Sequence, residues 1–200
     1  MQAITDIEAL EQHYEAAVPT SLTKVVTRIT PAYHQWISAA RFVVVSTVGP
    51  EGTDASPRGD DGPVVRIADD KTLWLPDWRG NNRIDSLRNV VRDDRVSLMF
   101  MVPGSNNVVR VNGRAILTAD EGARASFERK GRLPATVMVI TVDELYFQCA
   151  KAIMRSRLWE VPNEKPDIPT AGQFLKERDE AFDGQSYDSG YAEYAKDRMW

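Results

Sequence analysis

Two hundred residues, 42% of them hydrophobic and 27% charged, describe a soluble globular chain of one domain or one domain with terminal extensions. A net charge of -4 with no Lys/Arg block excludes a basic nucleic-acid binder. The single cysteine, Cys149, excludes an intrachain disulfide framework and points to a reducing, cytoplasmic setting. No apolar run approaches the ~20 residues of a membrane span, and Met1–Glu15 is acidic, without the apolar stretch of a secretory signal.

In chain order, residues 5–16 are expected to form a first helix. Thr5 and Glu8 have capping-box spacing, Ile7, Leu10 and Tyr14 share a face, and Pro19 ends it. Pro31 suits the first turn of a second helix running to about Ala40. Arg41–Val48 is β-branched and reads as a buried strand closed by the turn Gly49-Pro50-Glu51-Gly52. Asp54–Asp60, with Pro57 and Gly59 inside it, reads as an irregular edge piece. Val64–Ile67 and Thr72–Leu75 form a hairpin around Asp69-Asp70, and Pro76, which has no N–H to give a ladder, is expected to stop the second strand.

A helix follows, with Ile84, Leu87, Val90 and Val91 at helical spacing, Asn81 or Asn82 as N-cap and Asp85 in the first turn. Arg95–Val102 is a strand stopped by Pro103-Gly104. Val108–Thr118 is one long strand in which Asn112-Gly113 makes a bulge rather than a hairpin turn. Asp120 caps a helix to about Lys130, and Thr136–Val142 is a strand leading to Leu145–Gln148. The remainder holds a short helix near Ala150–Leu158, a Pro-rich link, and helices around Ala171–Phe182 and Tyr191–Trp200. Six or seven closely spaced strands without crossover helices imply a mainly β fold: an antiparallel barrel with peripheral helices. The expected organisation is N-terminal helices over 1–40, the barrel over 41–160 and a helical extension over 161–200.

Three constellations could carry chemistry. Arg79-Gly80-Asn81-Asn82-Arg83 sits where a strand hands over to a helix N-terminus, whose free N–H groups and positive dipole end suit a phosphate. The alternative is that these arginines are solvated, or paired with Asp77 and Asp85. Lys151 and Arg155 lie four apart on one helix face, so an anion or solvent must relieve their repulsion, and Trp159 nearby suits stacking on a planar ring. The alternative is a basic surface helix anchored by its Trp. Ser56-Pro57-Arg58 could present backbone groups to a flat heterocycle, or be an ordinary turn with an Arg–Asp surface pair. His13 and His34, the only histidines, show no metal-ligand spacing and read as helix-surface or packing residues, and no nucleotide-binding glycine motif or nucleophile elbow occurs. Any reactive group is therefore expected from a bound cofactor.

Ala55-Ser56-Pro57-Arg58-Gly59-Asp60, Pro76-Asp77-x-Arg79-Gly80-Asn81-Asn82-Arg83-x-Asp85-Ser86 and Val111-x-Gly113-x-Ala115 together resemble the pyridoxamine 5′-phosphate oxidase-like flavoproteins. Cys149-Ala150-Lys151-Ala152-x-x-Arg155-Ser156-x-Leu158-Trp159 resembles their branch of FMN-dependent enzymes of unassigned substrate. The likeness spans residues 35 to 165. It implies an antiparallel split β-barrel that forms a homodimer with FMN in two interfacial clefts, and an oxidoreductase working with a small-molecule electron donor or acceptor. It further implies that Arg79, Asn81, Asn82 and Arg83 hold the FMN phosphate. Ser56, Pro57 and Arg58 would line the isoalloxazine edge, with Pro76 and Asp77 on the adjoining strand end. Lys151, Arg155, Ser156 and Trp159 would close the site from the C-terminal segment, of the same chain or of the partner chain. Asn82-Arg83 stands where the oxidases proper carry a Ser-Lys pair, and their Arg-x-His pattern has no counterpart, which leaves the substrate open. A non-catalytic flavin carrier, a haem protein and a deazaflavin protein on the same barrel are the other readings.

Overall fold

The computed structural model describes residues 1–164 and 166–200. One antiparallel sheet contains β1 (Phe42–Gly49), β2 (Gly52–Gly59), β3 (Arg66–Asp69), β4 (Thr72–Asp77), β5 (Arg95–Met101), β6 (Val108–Thr118) and β7 (Thr136–Gln148). Their spatial order is β2-β1-β5-β6-β7-β4-β3, so β2 and β3 are the free edges of a split barrel. Alternation sets the inside: Val43 and Val45 of β1, Leu98 and Phe100 of β5, and Val109 and Val111 of β6 are buried, while the residues between them face outward. Leu73, Leu75, Ile140 and Leu145 complete the core, and Ile37 plugs it from a helix.

The two longest strands bend at one point. The β6–β7 register shifts between Asn112 and Gly113 because β7 carries one extra residue, Asp143, opposite that step, whereas the sequence reading placed the bulge in β6, which stays regular against β5. A Cβ on Gly113 would lie 2.0 Å from the Thr141 carbonyl oxygen, so only glycine permits this approach. The neighbouring Asn112 satisfies the disrupted ladder sideways. Its Oδ1 accepts from the Ser97 hydroxyl at 2.7 Å and its Nδ2 donates to Glu144 at 2.8 Å. Beyond the bend, β7 pairs with β4 on its other side.

Helices sit around the sheet: α1 (Ile7–Glu11), α2 (Pro19–Thr23), α3 (Pro31–Ala39), α4 (Asp85–Arg92), α5 (Glu121–Ala125), α6 (Lys151–Ser156), α7 (Ala171–Arg178) and α8 (Gly184–Lys196). Among the described residues no helix is long and apolar enough to cross a membrane.

Several boundaries differ from the sequence reading. The first helix is one short turn capped by Asp6, not Thr5, and Pro19 opens α2 instead of ending α1, because a proline's missing N–H costs nothing at a first helical position. β4 runs through Pro76 to Asp77. The pairing with β3 ends at Trp74, so beyond it β4 has an open side that needs no N–H from proline. β2 is a regular edge strand, paired with β1 along its whole length. α5 stops at Ala125, and β7 continues without a break to Gln148.

Candidate functional site

The split leaves a cleft of about 840 Å³ between β2, the end of β4, the loop 78–84, α4 and the start of β7. α4 is fixed over the β1–β2 hairpin by polar contacts. Ser86 donates to Asp54, Asn89 donates to the Thr47 hydroxyl at 3.2 Å, and Gly49 leaves the space that the Asn89 amide fills. Two bridges cross the split itself. The Arg58 guanidinium lies 3.5 Å from Asp77 and donates to the Ser56 hydroxyl at 2.9 Å. The Trp78 indole donates to Asp60 at 3.2 Å. Burial pushes the Asp77 carboxyl above the ordinary carboxylate range, and the Arg58 charge offsets this only in part.

The loop into α4 is unusual. Asn82 and Ile84 both adopt positive φ (60° and 53°), and the helix begins after Ile84 with no side-chain cap. The expected Asn81 or Asn82 cap is therefore absent. The Asn81 side chain instead closes a local turn, accepting from the Arg83 N–H at 3.1 Å. This leaves the first N–H groups of α4 without a capping side chain, facing a cleft lined by arginines. Arg58, Arg83 and Arg92 are paired with Asp77, Asp85 and Glu51. Arg79 and Arg88 have no acidic partner among the described residues. The wall opposite carries the Thr136 hydroxyl, which is buried and makes no hydrogen bond.

The cleft thus brings together Ser56, Pro57, Arg58, Asp77, Arg79, Asn81, Asn82 and Arg83 from the sequence prediction. Pro76 is buried and faces a neighbouring 450 Å³ cavity, which Trp78 divides from the cleft. Lys151, Arg155, Ser156 and Trp159 lie elsewhere. α6 follows the far end of β7, whose thirteen residues span roughly 40 Å of strand from Thr136. There the Trp159 indole donates to the Ser105 carbonyl at 2.7 Å and the Ser156 hydroxyl to Ile153. Within one protomer these four residues do not reach the cleft.

Sequence reasoning missed Arg88 and Thr136. Arg88 lies one helical turn beyond Asp85, a spacing that could have placed it on the cleft side of α4. Thr136 had no local signal, because β7 meets β4 only through the sheet's long-range order. Among the described residues no group of three His, Cys, Asp or Glu side chains is placed to hold a metal.

Residues 29–149, more than half of the chain, match the family model for pyridoxamine 5′-phosphate oxidase. The chain belongs to the pyridoxamine 5′-phosphate oxidase family. A crystal structure of the Group A Streptococcus HupZ protein is similar at 19% identity, with a TM-score of 0.50, covering 60% of this chain and 99% of that one. An FMN-binding protein of Syntrophomonas wolfei is 10% identical, with a TM-score of 0.44 over 71% of this chain and 96% of its own. The FAD binding protein of Mycobacterium smegmatis is 13% identical, with a TM-score of 0.43 over 62% and 97%. No curated protein matches the chain. The family's barrel is therefore shared here, and the residues lining the cleft all fall inside the matched region, whereas α6 lies beyond it.

Proposed function

We propose that this family member is an FMN-dependent oxidoreductase whose flavin phosphate sits at the start of α4, with the ring directed along the split toward Ser56–Arg58. One observation carries the reading: two arginines without acidic partners, Arg79 and Arg88, line one cleft with an uncapped helix N-terminus. The residues fit such a group. The cleft volume lies within the usual range of small-molecule sites, roughly 300–1,000 Å³, and the orphaned Thr136 hydroxyl offers a hydrogen bond that no protein group takes up. Arg83 can join the phosphate set by exchanging Asp85, an exposed pair whose loss costs little.

When bound, FMN supplies hydride or electron transfer at its N5. The chain's own work is placement and charge. The arginines and N–H groups fix the phosphate, backbone groups of β2 run along the ring edge, and Arg58 presents a cation already oriented by Ser56 and Asp77. Trp78 closes the inner wall and excludes water on that side.

A homodimer completes this reading. The outward face of β1 and β5 carries Phe42 and Met99, both more than a third exposed, beside the half-buried Val44 and Met101, an apolar strip suited to a second copy. A second copy would also explain α6: Lys151 and Arg155 have no acidic partner among the described residues and could close the other protomer's cleft. Haem is the weaker reading, because the cleft lining contains no His, Cys, Met or Tyr to ligate iron.

The purified protein tests the assignment. A yellow protein bleached anaerobically by NADH or NADPH is a reductase, and a yellow protein inert to donors is a flavin carrier. A colourless protein that ignores added FMN, or one with a Soret band, contradicts the reading.

A further inference from the structure

Asp60 is the most enclosed acid at the split, with its side chain 5% exposed. Its counter-charge is Arg129, at 3.2 Å, and its second oxygen accepts the Trp78 indole N–H at 3.2 Å. Arg129 reaches it from the tight turn Arg129–Arg132, where Lys130 and Gly131 take positive φ and the two arginines form a β-bridge. That turn also grips the C-terminal segment. Arg132 donates to the backbone carbonyls of Asp197 and Trp200, and the Trp200 ring lies under the Arg129 guanidinium (5.6 Å) and the Lys130 ammonium (5.0 Å).

A continuous set of contacts therefore runs from Trp200 through Arg129 and Asp60 to Trp78, which forms the wall between the cleft and the cavity beside it. We propose that residues 197–200 are a strap that positions Trp78, with Arg129 and Asp60 as positioning residues, so that docking of the C-terminal segment sets the shape of the cleft. The physical reason is that an enclosed carboxylate tolerates little movement of its cation, and Trp200 restricts that cation from its solvent side. Freed from Trp200, Arg129 gains room to follow Asp61, its other acidic partner, leaving the Asp60 carboxylate with the Trp78 indole and the Asp61 backbone N–H but no counter-charge. The effect on the cofactor rests on the flavin reading above; the effect on Trp78 does not.

The test is indole N–H exchange of Trp78 by NMR in the full chain, assigned with Trp78→Phe, alongside FMN titration. Trp200→Ala and Arg129→Met are each expected to speed exchange of that proton at least tenfold, while the amides of Leu98 and Val111 in the core keep their protection. Trp200→Tyr, which retains an aromatic face for the two cations, restores slow exchange. FMN binding weakens severalfold in the first two variants and recovers in the third. Unchanged Trp78 exchange in both variants overturns the strap. Faster exchange in a chain that binds no FMN at all keeps the strap and removes the flavin reading instead.

Discussion

Arg58 and Asp77 face each other across the split at 3.5 Å, one from edge strand β2 and the other from the open end of β4. No backbone pairing joins these strands, so this ion pair and the Trp78–Asp60 hydrogen bond are side-chain bridges over the mouth of the cleft. The pair is not a simple stabiliser, because burial raises the Asp77 pKa against the pull of Arg58.

That shift fixes a sign. A carboxyl with a raised folded-state pKa holds its proton longer when folded than when unfolded, so stability falls as pH rises from about 3.8 through the folded value. Asp77→Asn removes the cost. The variant is expected to melt above the parent at pH 7, with the difference vanishing at a pH low enough to protonate Asp77 in both states. A parent that melts higher at pH 7 would show that the Arg58 attraction outweighs burial.

Asp93 behaves in the opposite way. Arg95 donates to it from both guanidinium and backbone, which lowers its pKa to about 2. Its contribution is present above pH 3.8 and is lost as pH falls toward 2. Asp93→Asn is expected to lower the melting midpoint slightly at pH 7 and to match the parent near pH 2, read from thermal melts across that range.

Gly113→Ala tests the bend in the barrel. The added methyl meets a backbone carbonyl oxygen at 2.0 Å, which cannot rotate away. Overpacking of this kind costs about 1–3 kcal/mol, and the upper end is expected because the strand itself must shift. Urea denaturation gives the value, and a change under about 0.5 kcal/mol, the range of ordinary surface substitutions, would mean that the bulge is not built as described.

Ile84 is a β-branched residue at φ 53°, a conformation that costs an L side chain roughly 1–2 kcal/mol. Asparagine tolerates this region and can cap the helix that Ile84 leaves open. Ile84→Asn is therefore expected to raise the stability of the ligand-free protein by about 1 kcal/mol, while weakening FMN binding if the new side chain occupies the N–H groups that the phosphate needs. Thermal melts without ligand, paired with an FMN titration, separate the two effects.

Much of this architecture is legible in the chain. β1, β5 and the first half of β7 are strongly apolar or alternating, α3 has its Pro31, and Val108–Thr118 was readable as one strand because each half beside Asn112-Gly113 is too short to stand alone, although the extra residue, Asp143, lies on β7. The loop proposed to hold a phosphate was visible only as one of two readings, since its arginines could equally be solvated or paired, and Arg83 does pair with Asp85. What local sequence missed follows partly from a distant partner and partly from local backbone geometry. Pro76 stays in its strand because β3 ends short of it, Pro19 starts a helix where a helix was expected to end, and Asn81 and Asn82 yield the cap to Ile84 through the left-handed loop. α6 reads from its own residues as a separate anion site or a basic surface helix, and only the family resemblance joins it to the cleft. The length of β7 separates them within one chain.

The decisive measurement compares FMN with riboflavin, which lacks the phosphate, by flavin fluorescence titration of the parent and of a variant with both Arg79→Met and Arg88→Met. Each hydrogen bond to a charged group contributes about 1.5–3 kcal/mol, so the parent is expected to prefer FMN by at least a hundredfold and the double variant to lose most of that preference. Equal affinity for the two flavins in the parent, or an FMN preference untouched by both substitutions, would contradict the phosphate site at the start of α4.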